Sequence, residues 1–237
     1  GISGHEEIIH IEKLDLLGNL TFTPDYGAAT ETVFKKKETT LQVEDSSGLT
    51  WKLTIPSNAL VDEATITMTP LKDVKGANGG DLSGVLLEPD GLKFIVPATL
   101  TVTGNGAGEG WIYCADHKGM DPELALTQQV DGGIECKISH FSSVVVDKSS
   151  PLSDPDKKAQ IDNSAKKVIA EVKKLLKKKA KLPEPPSIKL ECLTDDNFKE
   201  ANKYRKRLFE EETACLATLS MLYTVYKHAN DPMAEEV

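Results

Sequence analysis

The sequence predicts an all-β antiparallel sandwich domain followed by an α-helical hairpin domain, a two-domain arrangement of β then α. Three observations predict it. Up to about residue 147, short apolar–polar alternations recur between closely spaced turn residues. Beyond a breaker-containing linker at 148–153, the apolar spacing changes from two residues to three and four. The charge balance also inverts there: residues 157–181 hold ten Lys against only Asp162 and Glu171, in a chain of net charge −9.

Taken in order, Ile9, Ile11 and the alternation Leu20-Thr21-Phe22-Thr23 suggest early strands, ended by Pro24-Asp25-Tyr26-Gly27. Thr39–Val43 and Leu49–Ile55 alternate on either side of Asp45-Ser46-Ser47-Gly48, a hairpin signal. Ala64–Pro70 alternates apolar residues with Thr, as a strand packed on one face and wetted on the other does. Val85–Leu87, Leu92–Ile95 and Ala98–Val102 follow, separated by Pro89-Asp90-Gly91 and Pro97. Trp111–Cys114, Ile134–Ile138 and Ser143–Val146 complete a set that fits a sandwich better than alternating βαβ units. The sandwich is therefore placed at 1–147 and the helical part at 154–237.

The helical part opens on Ser153-Asp154-Pro155-Asp156, an N-cap followed by Pro and acid in the first turn. Ile161, Ala165, Val168, Ile169, Val172, Leu175 and Leu176 then mark one helix, which runs to about Ala180 and stops before Pro183. Thr194-Asp195-Asp196 caps a second helix with apolar positions from Phe198 to Tyr226, ending near Ala229-Asn230-Asp231-Pro232. A proline-rich connection between the two predicts an antiparallel pair.

Composition is that of a globular chain, with 39% hydrophobic and 27% charged residues. Aromatics make up only 5%, so the core must rest on aliphatic packing. No apolar run approaches the ~18–20 residues of a membrane-spanning helix. Gly1 in the place of an initiator Met reads as a cleaved or engineered start, compatible with a removed export signal.

Several chemistries fail on spacing. The two histidines of His5-Glu6-Glu7-Ile8-Ile9-His10 are five apart, whereas metal ligands on one helical face need a spacing of four. Gly76–Gly84 is glycine-rich but precedes no helix, so it is a loop and not a phosphate cradle. No nucleophile elbow or dinucleotide fingerprint occurs. No metal site and no cofactor are expected, and the chain is not expected to be an enzyme with turnover.

Cys114 and Cys136 lie in the β part, Cys192 and Cys215 in the helical part. Two disulfides, one in each half, are one reading; four buried free thiols in a reducing compartment are the other. Cys192 precedes the second helix while Cys215 lies five or six turns along it, which makes that pairing the weaker one.

The basic helix offers Lys166, Lys167, Lys173, Lys174, Lys177, Lys178 and Lys179 to an anionic surface. Its lysines lack the arginines and interleaved aromatic rings of nucleic-acid readers, so nucleic acid is not an expected partner. A solvated helix face, partly paired with Glu210, Glu211 and Glu212, is the plainer reading.

Two stretches carry a resemblance: Leu53-Thr54-Ile55-Pro56-Ser57-Asn58-Ala59-Leu60 with Ala64-Thr65-Ile66-Thr67-Met68, and the run Leu87–Val102 containing Glu88-Pro89-Asp90-Gly91. With His140-Phe141-Ser142 near the end, residues 30–147 resemble the ZU-five-type β-sandwich found in ankyrins, netrin receptors and many bacterial surface proteins. The resemblance implies a sandwich and, from its bacterial members, an extracytoplasmic module, secreted or anchored to the envelope. It also implies late neighbouring strands for Cys114 and Cys136, hence a bridge between them.

In some relatives among inflammasome sensors and death-domain proteins the His-Phe-Ser site cuts itself. Carried onto this chain, Ser142 Oγ would attack the Phe141 carbonyl and an imidazole such as His140 would take the hydroxyl proton. The plainer reading has Phe141 packing the end of the sandwich. By strand phase, His140 then follows Ile134, Cys136 and Ile138 onto the core edge. The expected function is a non-catalytic binding or structural module whose partner is a protein or cell-surface polymer. Self-cleavage between Phe141 and Ser142 and an intracellular scaffold are the alternatives.

Overall fold

A computed structural model describes residues 15–180 except 126, together with 219–237 except 220, 221, 224 and 228. The alternating stretches become twelve strands: β1 (Leu20–Pro24), β2 (Thr30–Phe34), β3 (Thr39–Glu44), β4 (Thr50–Ile55), β5 (Ala64–Gly76), β6 (Leu82–Glu88), β7 (Lys93–Thr103), β8 (Trp111–Ala115), β9 (Glu123–Leu124), β10 (Thr127–Val130), β11 (Gly133–His140) and β12 (Ser143–Asp147). Every pairing among them is antiparallel.

Two sheets result. One is five-stranded, in the order β10-β11-β7-β4-β3. The other has seven strands, in the order β1-β5-β6-β12-β8-β9, with β2 also pairing β5. The last strand in sequence, β12, is thus held between β6 and β8 in the middle of its sheet.

The sheets face each other over a core that includes Trp51, Leu53, Leu100, Val102, Ile112, Phe141, Val144 and Val146. Alternation explains the five-stranded sheet: Leu41, Val43, Trp51, Leu53 and Ile55 point inward, while Thr40, Gln42, Glu44 and Lys52 are exposed. It does not explain β12, whose five residues are all buried. Val144 and Val146 enter the core between the sheets, whereas Val145 joins a second core on the opposite face of the same strand. On β8, Ile112 packs into the first core, and Trp111, Tyr113 and Ala115 into the second.

A helix covers that second face. α1 (Pro155–Ala180) is 26 residues long and starts where Asp154 accepts hydrogen bonds from the amides of Asp156 (2.9 Å) and Lys157 (3.2 Å), the N-cap expected from the sequence. Its Ile161, Ala165 and Val168 share the second core with Leu222, Val225 and Tyr226 of the C-terminal segment, which is helical at 222, 223 and 225–227. The Tyr226 hydroxyl donates to Asp162 at 2.6 Å, and Lys158 pairs with Asp162 (2.9 Å) and Asp231 (3.5 Å). Burial raises the Asp162 carboxyl, but hydrogen bonds from Tyr226 and Lys158 outweigh it and hold the group below the usual carboxylate range.

The structure thus layers sheet, sheet and helix. Among the described residues it shows one α-helix followed by helical turns near the C-terminus. The second expected helix, through most of its length, and the proline-rich connection lie outside the described residues, as do His5, His10, Cys192 and Cys215.

Candidate functional site

At residue 140 the alternation of β11 breaks. Ile134, Cys136 and Ile138 are buried in sequence, but the pairing with β7 slips between Ile138 and His140, so that His140 meets Lys93. This bulge turns the His140 side chain out to solvent, correcting its expected place on the core edge. Phe141 and Ser142 then cross between the sheets, from β11 to β12. Both are almost wholly buried, at 1% and 2% exposure. Phe141 packs edge-on against Phe94, with ring centroids 5.1 Å apart and planes at 71°.

Backbone hydrogen bonds tie this crossing to the turn between β6 and β7. The amide of Leu87 donates to the Ser142 carbonyl (3.1 Å), that of Gly91 to the Phe141 carbonyl (3.4 Å), and that of Phe141 to the Leu92 carbonyl (2.9 Å). Gly91 adopts φ +71°, the left-handed conformation in which glycine carries no steric penalty. The Phe141–Ser142 peptide is therefore fixed on both sides by one turn.

Within that frame the Ser142 hydroxyl is buried and has no hydrogen-bond partner among the described residues. A buried hydroxyl without a partner costs about 1–3 kcal/mol and does nothing for folding. The neighbouring Ser143 hydroxyl, by contrast, donates to the Asp116 carbonyl at 2.7 Å.

Two histidines lie on the segments that meet at this crossing. His140 Nδ1 lies 3.4 Å from the Phe141 carbonyl oxygen. A ring nitrogen can bond that oxygen only as an N–H donor, so this contact suits polarising the carbonyl more than deprotonating a hydroxyl. His117 is the second, on the Asp116–Gly119 turn after β8. Its Nε2 stands 3.6 Å from Glu88 Oε1, and its Nδ1 3.7 Å from Asp90 Oδ1. The buried Nδ1 has no hydrogen bond among the described residues, since 3.7 Å is within reach of charge but beyond that of a bond. Glu88 and Asp90 belong to the same turn that binds residues 141 and 142. Sequence reading saw only turn residues in Pro89-Asp90-Gly91 and nothing at His117, because the two segments are distant along the chain and meet only through the sheet.

The cysteines fall elsewhere in the core. Cys114 on β8 and Cys136 on β11 are free thiols, which corrects the expected bridge. They stand on opposite sheets, near enough for Cys114 to affect the Cys136 thiol, but no bond joins them. Burial and then the charge of Glu123 push the Cys114 thiol up to about 12. Burial likewise raises Cys136, with Cys114 and Glu135 adding to the shift and Lys137 opposing it.

Of the lysines expected to meet an anionic surface, Lys166, Lys167, Lys173, Lys174 and Lys177 are exposed on α1. Lys174 pairs with Glu171 at 2.8 Å. The side chains of Lys178 and Lys179 lie outside the described residues. Among the described residues no cluster of His, Cys, Asp or Glu could hold a metal ion, and no helix is long and apolar enough to cross a membrane.

No protein-family model matches the chain, and no curated protein matches it.

Proposed function

We propose that this chain is a ZU-five-type sandwich module that cuts its own backbone once, between Phe141 and Ser142, and keeps both pieces bound. The observation that carries the reading is the Ser142 hydroxyl, buried without a partner beside a carbonyl that two donors approach.

The chemistry needs no group beyond the chain and water. Ser142 Oγ attacks the Phe141 carbonyl carbon as its proton passes to an imidazole. The oxygen of the tetrahedral intermediate draws on the Gly91 amide and His140 Nδ1. At 3.4 Å each, both are longer than the ~2.7–3.1 Å of a completed oxyanion site and shorten as charge develops. The carbon–nitrogen bond then breaks, the Ser142 nitrogen takes a proton, and an ester remains. Water hydrolyses it to a Phe141 carboxylate and a Ser142 hydroxyl beside a new amine terminus. His117, whose buried Nδ1 has no hydrogen-bond partner among the described residues, is the base in this reading, because His140 is engaged at the carbonyl.

The fold supports continued association of the pieces. Residues 143–147 form a central strand bonded on both sides, and α1 beyond them packs on the same sheet. A cut before Ser142 removes one covalent link and none of these contacts. The product is a two-piece interaction module, with the helical segment completing a hairpin over the sheet and no turnover.

Denaturing electrophoresis of freshly purified protein tests this, with fragments of roughly 15 and 10 kDa expected from wild type and one intact band from Ser142→Ala. A wild-type chain still intact after prolonged incubation at neutral pH would sink self-cleavage. The non-catalytic binding module, exported or envelope-anchored, would then be the better reading. The free thiols of Cys114 and Cys136 favour an intracellular scaffold over an exported one, and titration of all four cysteines in the native source decides between the two.

A further inference from the structure

The two sides of α1 differ in kind. Ile161, Ala165 and Val168 are buried against the sheet, while Lys166, Lys167, Lys173, Lys174 and Lys177 are exposed. At 3.6 residues per turn, Lys166, Lys173 and Lys177 fall within about 40° of one another around the axis and span roughly 16 Å along it. Lys167 and Lys174 flank them on one side. Exposed Asn163 and Ala170 fill the gaps, so this face carries neither a carboxylate nor an aromatic ring from 163 to 177. Glu171, which pairs with Lys174 at 2.8 Å, lies beyond its margin. Local stability does not account for the arrangement. Lys173 and Lys174 each meet Lys177 one turn on, a like-charge spacing that weakens a helix. The helix dipole favours cations only in the last turn, which covers Lys177 but not Lys166 or Lys173. Solubility does not account for it either: residues 157–181 carry +8 in a chain of −9, which leaves −17 on the remainder.

We infer that this lysine face docks on a bilayer rich in anionic phospholipid. The inference does not depend on the cut between Phe141 and Ser142. Ammonium groups without a guanidinium among them are point charges, suited to a diffuse plane of negative charge and not to bidentate recognition of single phosphates. No ring on the face can stack on a base, as sites for single-stranded nucleic acid require. The apolar residues of α1 are engaged by the sheet, so the helix rests on headgroups without inserting and is held by charge alone. The same surface repels the acidic remainder of the chain, which selects the helix side for approach.

The test is flotation of the full chain with phosphatidylcholine vesicles containing about one-third phosphatidylserine, against vesicles of phosphatidylcholine alone. Binding is expected to the anionic vesicles at about 50 mM salt, with release at about 500 mM, and none to the neutral ones. A lysine near an anionic surface contributes about fivefold in affinity, so Lys166→Gln/Lys173→Gln/Lys177→Gln should bind roughly a hundredfold more weakly. The corresponding arginine triple should bind like wild type. Melting temperatures of both triples should match wild type, because all three side chains are exposed. No binding to anionic vesicles at low salt, as when another part of the chain covers the face, would overturn the inference. So would a glutamine triple that floats like wild type, or a loss of binding that the arginine triple shares. Retention of a short DNA duplex at salt that releases the vesicles would overturn it too, and would make nucleic acid the partner.

Discussion

The Ser143 hydroxyl donates to the Asp116 carbonyl at 2.7 Å, tying the turn that carries His117 to the residue that follows Ser142. Ser143 is fully buried, so its bond is shielded from water. The histidine turn is thereby registered on strand β12 as well as on the β6–β7 turn.

This linkage sets an expectation for Ser143→Ala. Loss of this one hydrogen bond, with the Asp116 carbonyl still accepting from the Gly119 amide, should cost about 0.5–1.5 kcal/mol in chemical denaturation. It should also slow fragment appearance. A variant that loses neither stability nor rate would show that the bond does not register the turn.

Ser142→Ala should behave in the opposite way. Removing a hydroxyl that has no partner should leave stability unchanged or raise it by up to about 1–3 kcal/mol, measured by urea unfolding of uncleaved protein. A marked loss would mean that the hydroxyl is bonded in solution, and would weaken its role as a poised nucleophile.

The two histidines should separate. His117→Ala should abolish cleavage, whereas His140→Ala, which removes one of two donors to the Phe141 carbonyl, should slow it by roughly ten- to a hundredfold. Gel time courses decide this, and the reverse order of effects would reassign the base to His140.

Asp162 predicts a pH-dependent docking of α1. Its folded carboxyl is held below its unfolded value, so it contributes stability above the unfolded value, near pH ~4. That contribution is lost as the pH falls from there through the lower folded value. Tyr226→Phe, which removes one of the stabilising hydrogen bonds, should flatten this acid limb in melts between about pH 5 and 2. An identical limb in both proteins would show that the Asp162–Tyr226 bond does not anchor the helix.

Cys114 and Cys136 should resist alkylation. With both thiols raised by burial, native protein should react with iodoacetamide at pH 8 at least about a hundredfold more slowly than unfolded protein at these positions. Peptide mass mapping of the labelled sites reads this directly, and equal labelling rates would show that the core is open there.

The sandwich was legible in the sequence because its outer sheet obeys a local rule: Leu41, Val43, Trp51, Leu53 and Ile55 alternate with polar residues that meet water. The start of α1 was legible for a similar reason, since Asp154 and Pro155 act within a single turn. The packing of α1 on the seven-stranded sheet was written only faintly, in Trp111–Ala115 and Val144–Val146, where polar alternation fails because both faces are covered. His140 was misplaced for a local reason invisible to periodicity, an irregularity that shifts the pairing with β7 by three positions.

By itself the sequence determined the strand-forming segments, the helix start and the His-Phe-Ser step, because each depends on residues close together in the chain. Only the tertiary structure decided that Ser142 is buried without a partner, that the Phe141 carbonyl receives the Gly91 amide, and that His117 sits with Glu88 and Asp90. Those relationships join segments about 25 to 50 residues apart, brought together when β12 inserts between β6 and β8. Pairing of that kind depends on sheet order, which no local pattern of residues encodes.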